Sequence, residues 1–167
     1  MVERLIPDPG FADDTGEADV ALRSALAAYA EGQISHGDVL LLLQDARLLV
    51  PVVAVLGEVE YDDRGLAHDK TSDMAVVLVQ GADGRMALLA FTSTDALSRW
   101  NRDARPVPVA SVLAARAAVQ DEAAAVVVDI AGPCLFVIEG EDLTALAAGW
   151  RLTRVGARTA WIGPSPA

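Results

Sequence analysis

The sequence has one cysteine, Cys134, one lysine, Lys70, and two histidines, His36 and His68. One cysteine excludes an internal disulfide and suits a reducing compartment. So few Cys and His residues cannot supply a Cys/His zinc pattern, and no H-E-x-x-H occurs. Phosphate-cradling glycine motifs are missing, both G-x-G-x-x-G and G-x-x-x-x-G-K-[ST], and so is the G-x-S-x-G nucleophile elbow. Mean hydropathy is +0.33, yet the longest apolar run, Leu48 to Leu56, is broken by Pro51. That run falls well short of the ~20 residues that span a bilayer. The segment from Met1 to Pro7 lacks the basic and apolar stretches of a signal peptide. A cytoplasmic chain without membrane contact is expected. Basic residues number 13 against 24 acidic ones, a net charge of −11. Affinity for nucleic acid begins with neutralising phosphates, so nucleic-acid binding is not expected.

What is present is core material. Hydrophobic residues make up 53% of the 167 positions and aromatics only 5%, so Val, Leu and Ala must build the core. The length suits one domain. Residues 1–16, rich in Pro, Gly and Asp, read as an extended arm that Phe11 anchors. Residues 17–162 read as the folded domain and 163–167 as a tail.

Leu22, Leu26 and Tyr29 mark one face of a helix over 17–31, capped by Asp14 or Thr15 and ended by Gly32. Ser35 caps a second helix, 36–45, whose Val39–Leu43 run predicts burial on every face. Arg47–Val59 reads as a strand in which Pro51 implies an edge or a bulge. Runs 74–80 and 85–91 flank Gly81-Ala82-Asp83-Gly84, a strong hairpin signal because Asp-Gly accepts positive φ. A helix capped at Thr92, Ser93 or Thr94 carries Leu97 and Trp100. Arg105-Pro106-Val107-Pro108-Val109 must be extended. A helix from Ser111 to about Glu122 follows. A second hairpin, 124–129 and 135–138, turns at Gly132-Pro133. A helix over 141–148 and one last strand within 150–161 complete the domain. Two hairpins with helices between them predict an α+β fold: an antiparallel or mixed sheet with helices packed against it.

Candidate chemistry is sparse. His68, Asp69 and Asp73 lie in an acidic stretch that reads as a solvated loop rather than a metal site. Cys134 leads into Leu135-Phe136-Val137-Ile138 and reads as a small buried hydrophobe. The pairs Asp13/Asp14, Asp62/Asp63 and Glu139/Glu141 read as solubilising. Arginines group at 99, 102 and 105 near Trp100, and again at 151, 154 and 158. A guanidinium grips carboxylate or phosphate in a fork, so such a group can hold an anion or a partner. The competing reading is pairing with the protein's own carboxylates. Neither a metal nor a cofactor is expected.

The stretches Asp69-Lys70-Thr71-Ser72-Asp73-Met74-Ala75, Asp83-Gly84-Arg85, Ala90-Phe91-Thr92-Ser93, Ala96-Leu97 to Trp100, Ala104 to Val109 and Ala131-Gly132-Pro133 carry a family pattern. In these the chain resembles the SseB family of bacterial enhanced-serine-sensitivity proteins, in an actinobacterial form, over roughly 20–150. The resemblance implies a phenotype of serine tolerance and transfers no catalytic residue set. It also implies a C-terminal domain in some members, without which this chain is expected to end.

The function expected is a non-enzymatic protein-interaction or regulatory module with an unidentified protein partner. The alternative is a binder of, or an enzyme acting on, a small anionic metabolite. Lys70, Arg99, Trp100, Arg102 and Arg105 are the expected ligand or partner contacts, and no catalytic residue is named. A homodimer is expected because two-fold dimers are the commonest soluble assemblies.

Overall fold

Alternation of side chains along two strands organises the structure, a computed structural model that describes residues 11–55, 60–61, 67–68 and 73–164. Strand β1 (Arg47–Val55) is central to a three-stranded antiparallel sheet. Its neighbours there are β4 (Asp73–Val76) and β7 (Arg105–Ala110). Two-residue strands β2 (Glu60–Tyr61) and β3 (Ala67–His68) pair with each other. A four-stranded mixed sheet runs in the order β5 (Leu78–Gln80), β6 (Met86–Ala90), β8 (Ala125–Val128) and β9 (Phe136–Glu139). The two larger sheets join where Leu49 and Phe91 exchange main-chain hydrogen bonds of 2.7 and 2.8 Å.

Leu48 and Val50 of β1, with Leu88 and Ala90 of β6, face the larger core cluster. Leu49, Leu89 and Phe91 face the opposite side. Helices α1 (Val20–Ala30), α2 (His36–Leu43), α4 (Ser111–Gln120) and α5 (Gly140–Ala147) fill the larger cluster through Leu22, Leu26, Val39, Leu40, Leu43, Ala114, Ala115, Ala118, Leu143 and Leu146. Helix α3 (Thr94–Trp100), alone among the helices of the described residues, covers the other face, with Ala96, Leu97 and Trp100. The fold is α+β, as the order of elements implied.

Local chemistry accounts for the helix starts. Ser35 and Asp38 form a reciprocal capping box on α2, and Ser93 caps α3 by accepting from the Ala96 N–H. Helix α1 begins later than expected, because Asp19 and not Asp14 or Thr15 supplies the cap. Helix α2 is not buried all round: Val39, Leu40 and Leu43 face the core while Leu42, on the opposite side, is exposed. The Asp83-Gly84 turn joins β5 to β6 as expected, and Gly132-Pro133 lies in the turn between β8 and β9.

Three readings are corrected. The 74–80 run is two strands broken at Val77, the first pairing with β1 and the second with β6. The C-terminal run is a hairpin, β10 (Arg151–Val155) and β11 (Arg158–Ile162), because Gly156 at φ +61 turns the chain. Pro51 lies at neither an edge nor a bulge but within the central strand. The ladder on that side of β1 passes from Phe91, opposite Leu49, to Ala75, opposite Val53. Pro51, which has no N–H to offer, stands at the changeover between them.

Candidate functional site

β6 and β8 run parallel, and the crossover β6–α3–β7–α4–β8 brings the segments after both strands together. An open crevice of about 380 Å³ lies outside their carboxyl ends. That is the position at which parallel strands commonly present ligand sites. Thr92–Ala96 and Arg99 form one side, Thr15–Ala18 with Arg23 and Leu26 the other, the buried Asp129 the floor, and Pro133 and Cys134 complete the lining.

Asp129 holds the floor. It is 2% exposed and closes an apolar strand. The Thr92 N–H donates to Oδ1 at 2.8 Å and the Thr92 hydroxyl to Oδ2 at 2.7 Å. Burial pushes its carboxyl above the usual range, while both Thr92 bonds pull the other way. Its φ of +54 lets its N–H reach the Ala90 carbonyl and its carbonyl take the Gly132 N–H. The carboxylate is thus a latch between the segments after β6 and β8, with both oxygens occupied.

Arg47 holds the outer wall. It pairs with Asp14, each side chain 13% exposed, and donates to the Thr92 carbonyl at 2.8 Å and the Glu17 carbonyl at 2.7 Å. The Thr94 N–H donates to the Gly16 carbonyl at 2.8 Å. Gly16 sits at φ +77, and a Cβ there would lie 2.1 Å from Thr94 Oγ1. Asp14, read from sequence as a solubilising carboxylate, is therefore an ion-pair partner that binds the N-terminal wall to the body.

The sequence-predicted contacts are dispersed. Arg99 is exposed at the crevice rim. Trp100 is half-buried, its ring 5.7 Å from that of Phe91. Arg102 lies exposed in the turn after α3, and Arg105 is exposed at the start of β7. Lys70 lies outside the described residues. The second arginine group is partly spent internally: Arg151 forks onto Asp45 and Arg154 reaches Asp38 at 2.6 Å. Those contacts hold the Asp45 carboxyl below its usual value and, with the Ser35 amide as the larger cause, that of Asp38 at about 2. Cys134 is half-exposed rather than buried, because the strand begins only at Phe136.

Sequence reasoning missed Asp129, Arg47 and Arg23. Only Asp129 left a signal, as a lone acid closing Val126-Val127-Val128 just before a turn. A second polar cluster is structural. His36 stacks on Phe136 at 4.4 Å and donates from Nε2 to the Val137 carbonyl at 2.8 Å. Trp161 donates to Asp142, whose other oxygen lies 3.6 Å from His36 Nδ1. Among the described residues no three His, Cys, Asp or Glu side chains converge to hold a metal, and no helix is long and apolar enough to cross a membrane.

No curated protein and no solved structure matches the chain. The model of the SseB protein N-terminal domain matches residues 22–145. That span contains β1, β6, β8 and the crevice floor, and on this match the chain belongs to the SseB family.

Proposed function

We propose that the chain is a non-enzymatic cytoplasmic module that binds a protein partner at the crevice beyond β6 and β8. One observation carries this reading: the crevice's buried carboxyl, Asp129, is already engaged in holding the fold. Asp129 accepts from Thr92 twice, and Ser93 caps α3. An acid–base catalyst needs a carboxyl free to exchange a proton with substrate. What the crevice offers is a lining that carries Arg23 and Arg99 together with Glu17 and Asp95, and an apolar contribution from Leu26 and Pro133. Mixed charge beside a small apolar area suits a peptide segment carrying an acidic side chain, with the arginines as forks. The single cysteine supports the cytoplasmic placement.

The crevice volume favours a second reading. About 380 Å³ falls within the range of small-molecule sites, so a small anionic metabolite is the alternative occupant.

Amide chemical-shift mapping on the full chain separates the two. A capped acidic peptide should move the amides of Thr92–Arg99 and Glu17–Arg23, and Arg23→Ala with Arg99→Ala should abolish the shifts. Shifts from a free dicarboxylate but not from the peptide would move the assignment to the metabolite. No crevice shift with either probe at millimolar concentration would remove both readings.

A further inference from the structure

The sheets treat their edges unequally. On β7, Leu48, Val50 and Val52 oppose Val109, Val107 and Arg105. Leu49 turns its main-chain groups toward Phe91, so its opposite residue, Pro108, and likewise Pro106, face the outer edge. Two prolines thus remove that edge's donors, a known defence against strand addition. On β9 the outward carbonyl of Val137 is taken by His36. On β10 the Gln44 amide pairs with both main-chain groups of Leu152, at 3.0 and 2.9 Å. Edge strand β5 has only three residues.

β11 has no such device. Because Leu152 gives its N–H and C=O to Gln44, the Leu152–Trp161 pair is a non-hydrogen-bonded one, and so is Arg154–Thr159. Thr159 and Trp161 therefore point their main-chain groups away from β10. Among the described residues those groups have no main-chain partner. The sequence Arg158-Thr159-Ala160-Trp161-Ile162 carries no proline, and its outer face shows Ile162 at 56% exposure beside Ala160.

We propose that the β11 edge pairs antiparallel with β11 of a second copy about a two-fold axis at Ala160, building a four-stranded sheet. The register is self-complementary. Thr159 meets Trp161 of the other copy with outward groups on both sides, Ala160 meets Ala160 at the close, non-hydrogen-bonded position, and Arg158 lies along Ile162. Charge also favours this face. The chain carries −11 overall, which opposes self-association elsewhere, but no acidic residue occurs from Leu143 onward. Arg151 and Arg154 are already offset by Asp45 and Asp38.

Sedimentation velocity on the full chain, from about 10 µM to about 1 mM, suits an interface at the small end of stable sizes. The wild-type chain should move from its 17.5 kDa monomer to twice that mass. Ala160→Lys and Ala160→Glu place like charges face to face and should each raise the dissociation constant about fivefold or more. An equimolar mixture of the two should restore the dimer. Hydrogen exchange on the wild-type chain gives an independent reading: the Thr159 and Trp161 amides should gain protection as concentration rises. A wild-type monomer over the whole range, a dimer unaffected by Ala160→Lys, or concentration-independent exchange at those two amides would each overturn the proposal.

Discussion

Replacing Asp129 tests the latch beneath the crevice. Asp129→Ala leaves the Thr92 N–H without its acceptor, and Thr92 is 6% exposed. An orphaned buried donor costs about 1–3 kcal/mol. Alanine must also adopt φ +54, the left-handed region that short polar side chains tolerate better, which adds about 1 kcal/mol. The expected loss is about 2–4 kcal/mol. Asp129→Asn keeps the shape and the conformation. Its Oδ1 still accepts from the Thr92 N–H, and its Nδ2 donates to the Thr92 hydroxyl, which turns to accept. Its cost at neutral pH should stay within about 1 kcal/mol. The pH dependence carries the sharper test. Burial raises the folded carboxyl above the ordinary 3.8. As pH rises through that window the unfolded chain ionises first, so this group's contribution to stability falls, and it is flat above the folded value. Asparagine has no such term. Urea unfolding at a series of pH values should therefore show the wild-type chain losing ground to Asp129→Asn as pH rises above 3.8, then running parallel to it. Superimposed profiles would refute the burial argument. An asparagine variant as unstable as the alanine one would mean that Thr92 requires a charge.

Two further outcomes follow from the geometry. Gly16→Ala should cost about 2 kcal/mol or more, since it adds a contact with Thr94 Oγ1 to the strain at φ +77. Gly32→Ala, at φ +73 with nothing within 4 Å, should cost about 1 kcal/mol, so equal drops in Tm would refute the packing argument. Asp38, held at about 2, contributes stability that is present above 3.8 and lost as pH falls through its folded value. In an NMR titration Arg154→Ala should raise that carboxyl only part of the way, because the Ser35 amide, the largest cause, remains.

Signals confined to a few residues were legible in the sequence. The Ser35 cap, the Asp83-Gly84 turn and the extended Arg105–Val109 segment each depend on local chemistry, and each stands where the residues placed it. What escaped depends on partners distant in sequence. Nothing local says that Val77 changes sheets, that β6 and β8 run parallel, or that Pro51 meets a gap in its ladder. The site followed the same division. Arg99 and the Thr92–Thr94 segment stand out from composition and capping. Arg47 reads as an ordinary strand start until Asp14, Glu17 and Thr92 gather around it.

Arg47 also bears on how the crevice relates to the family. The matched span begins at Leu22, so it includes Arg23, Thr92–Arg99 and the Asp129 floor, while the Thr15–Ala18 wall lies before it. One guanidinium crosses that boundary, joining the Thr92 carbonyl inside the span to Asp14 and Glu17 outside it. The floor rests on Asp129 and Thr92, which do not depend on the wall. Among the described residues, the polar contacts that tie the Thr15–Ala18 wall and Asp14 to the body are those of Arg47 and the Gly16–Thr94 hydrogen bond. Floor and wall are therefore separable. A partner that reads the wall would be sensitive to Arg47, whereas one that reads only the floor would survive its loss, and that difference follows from which atoms each layer bonds.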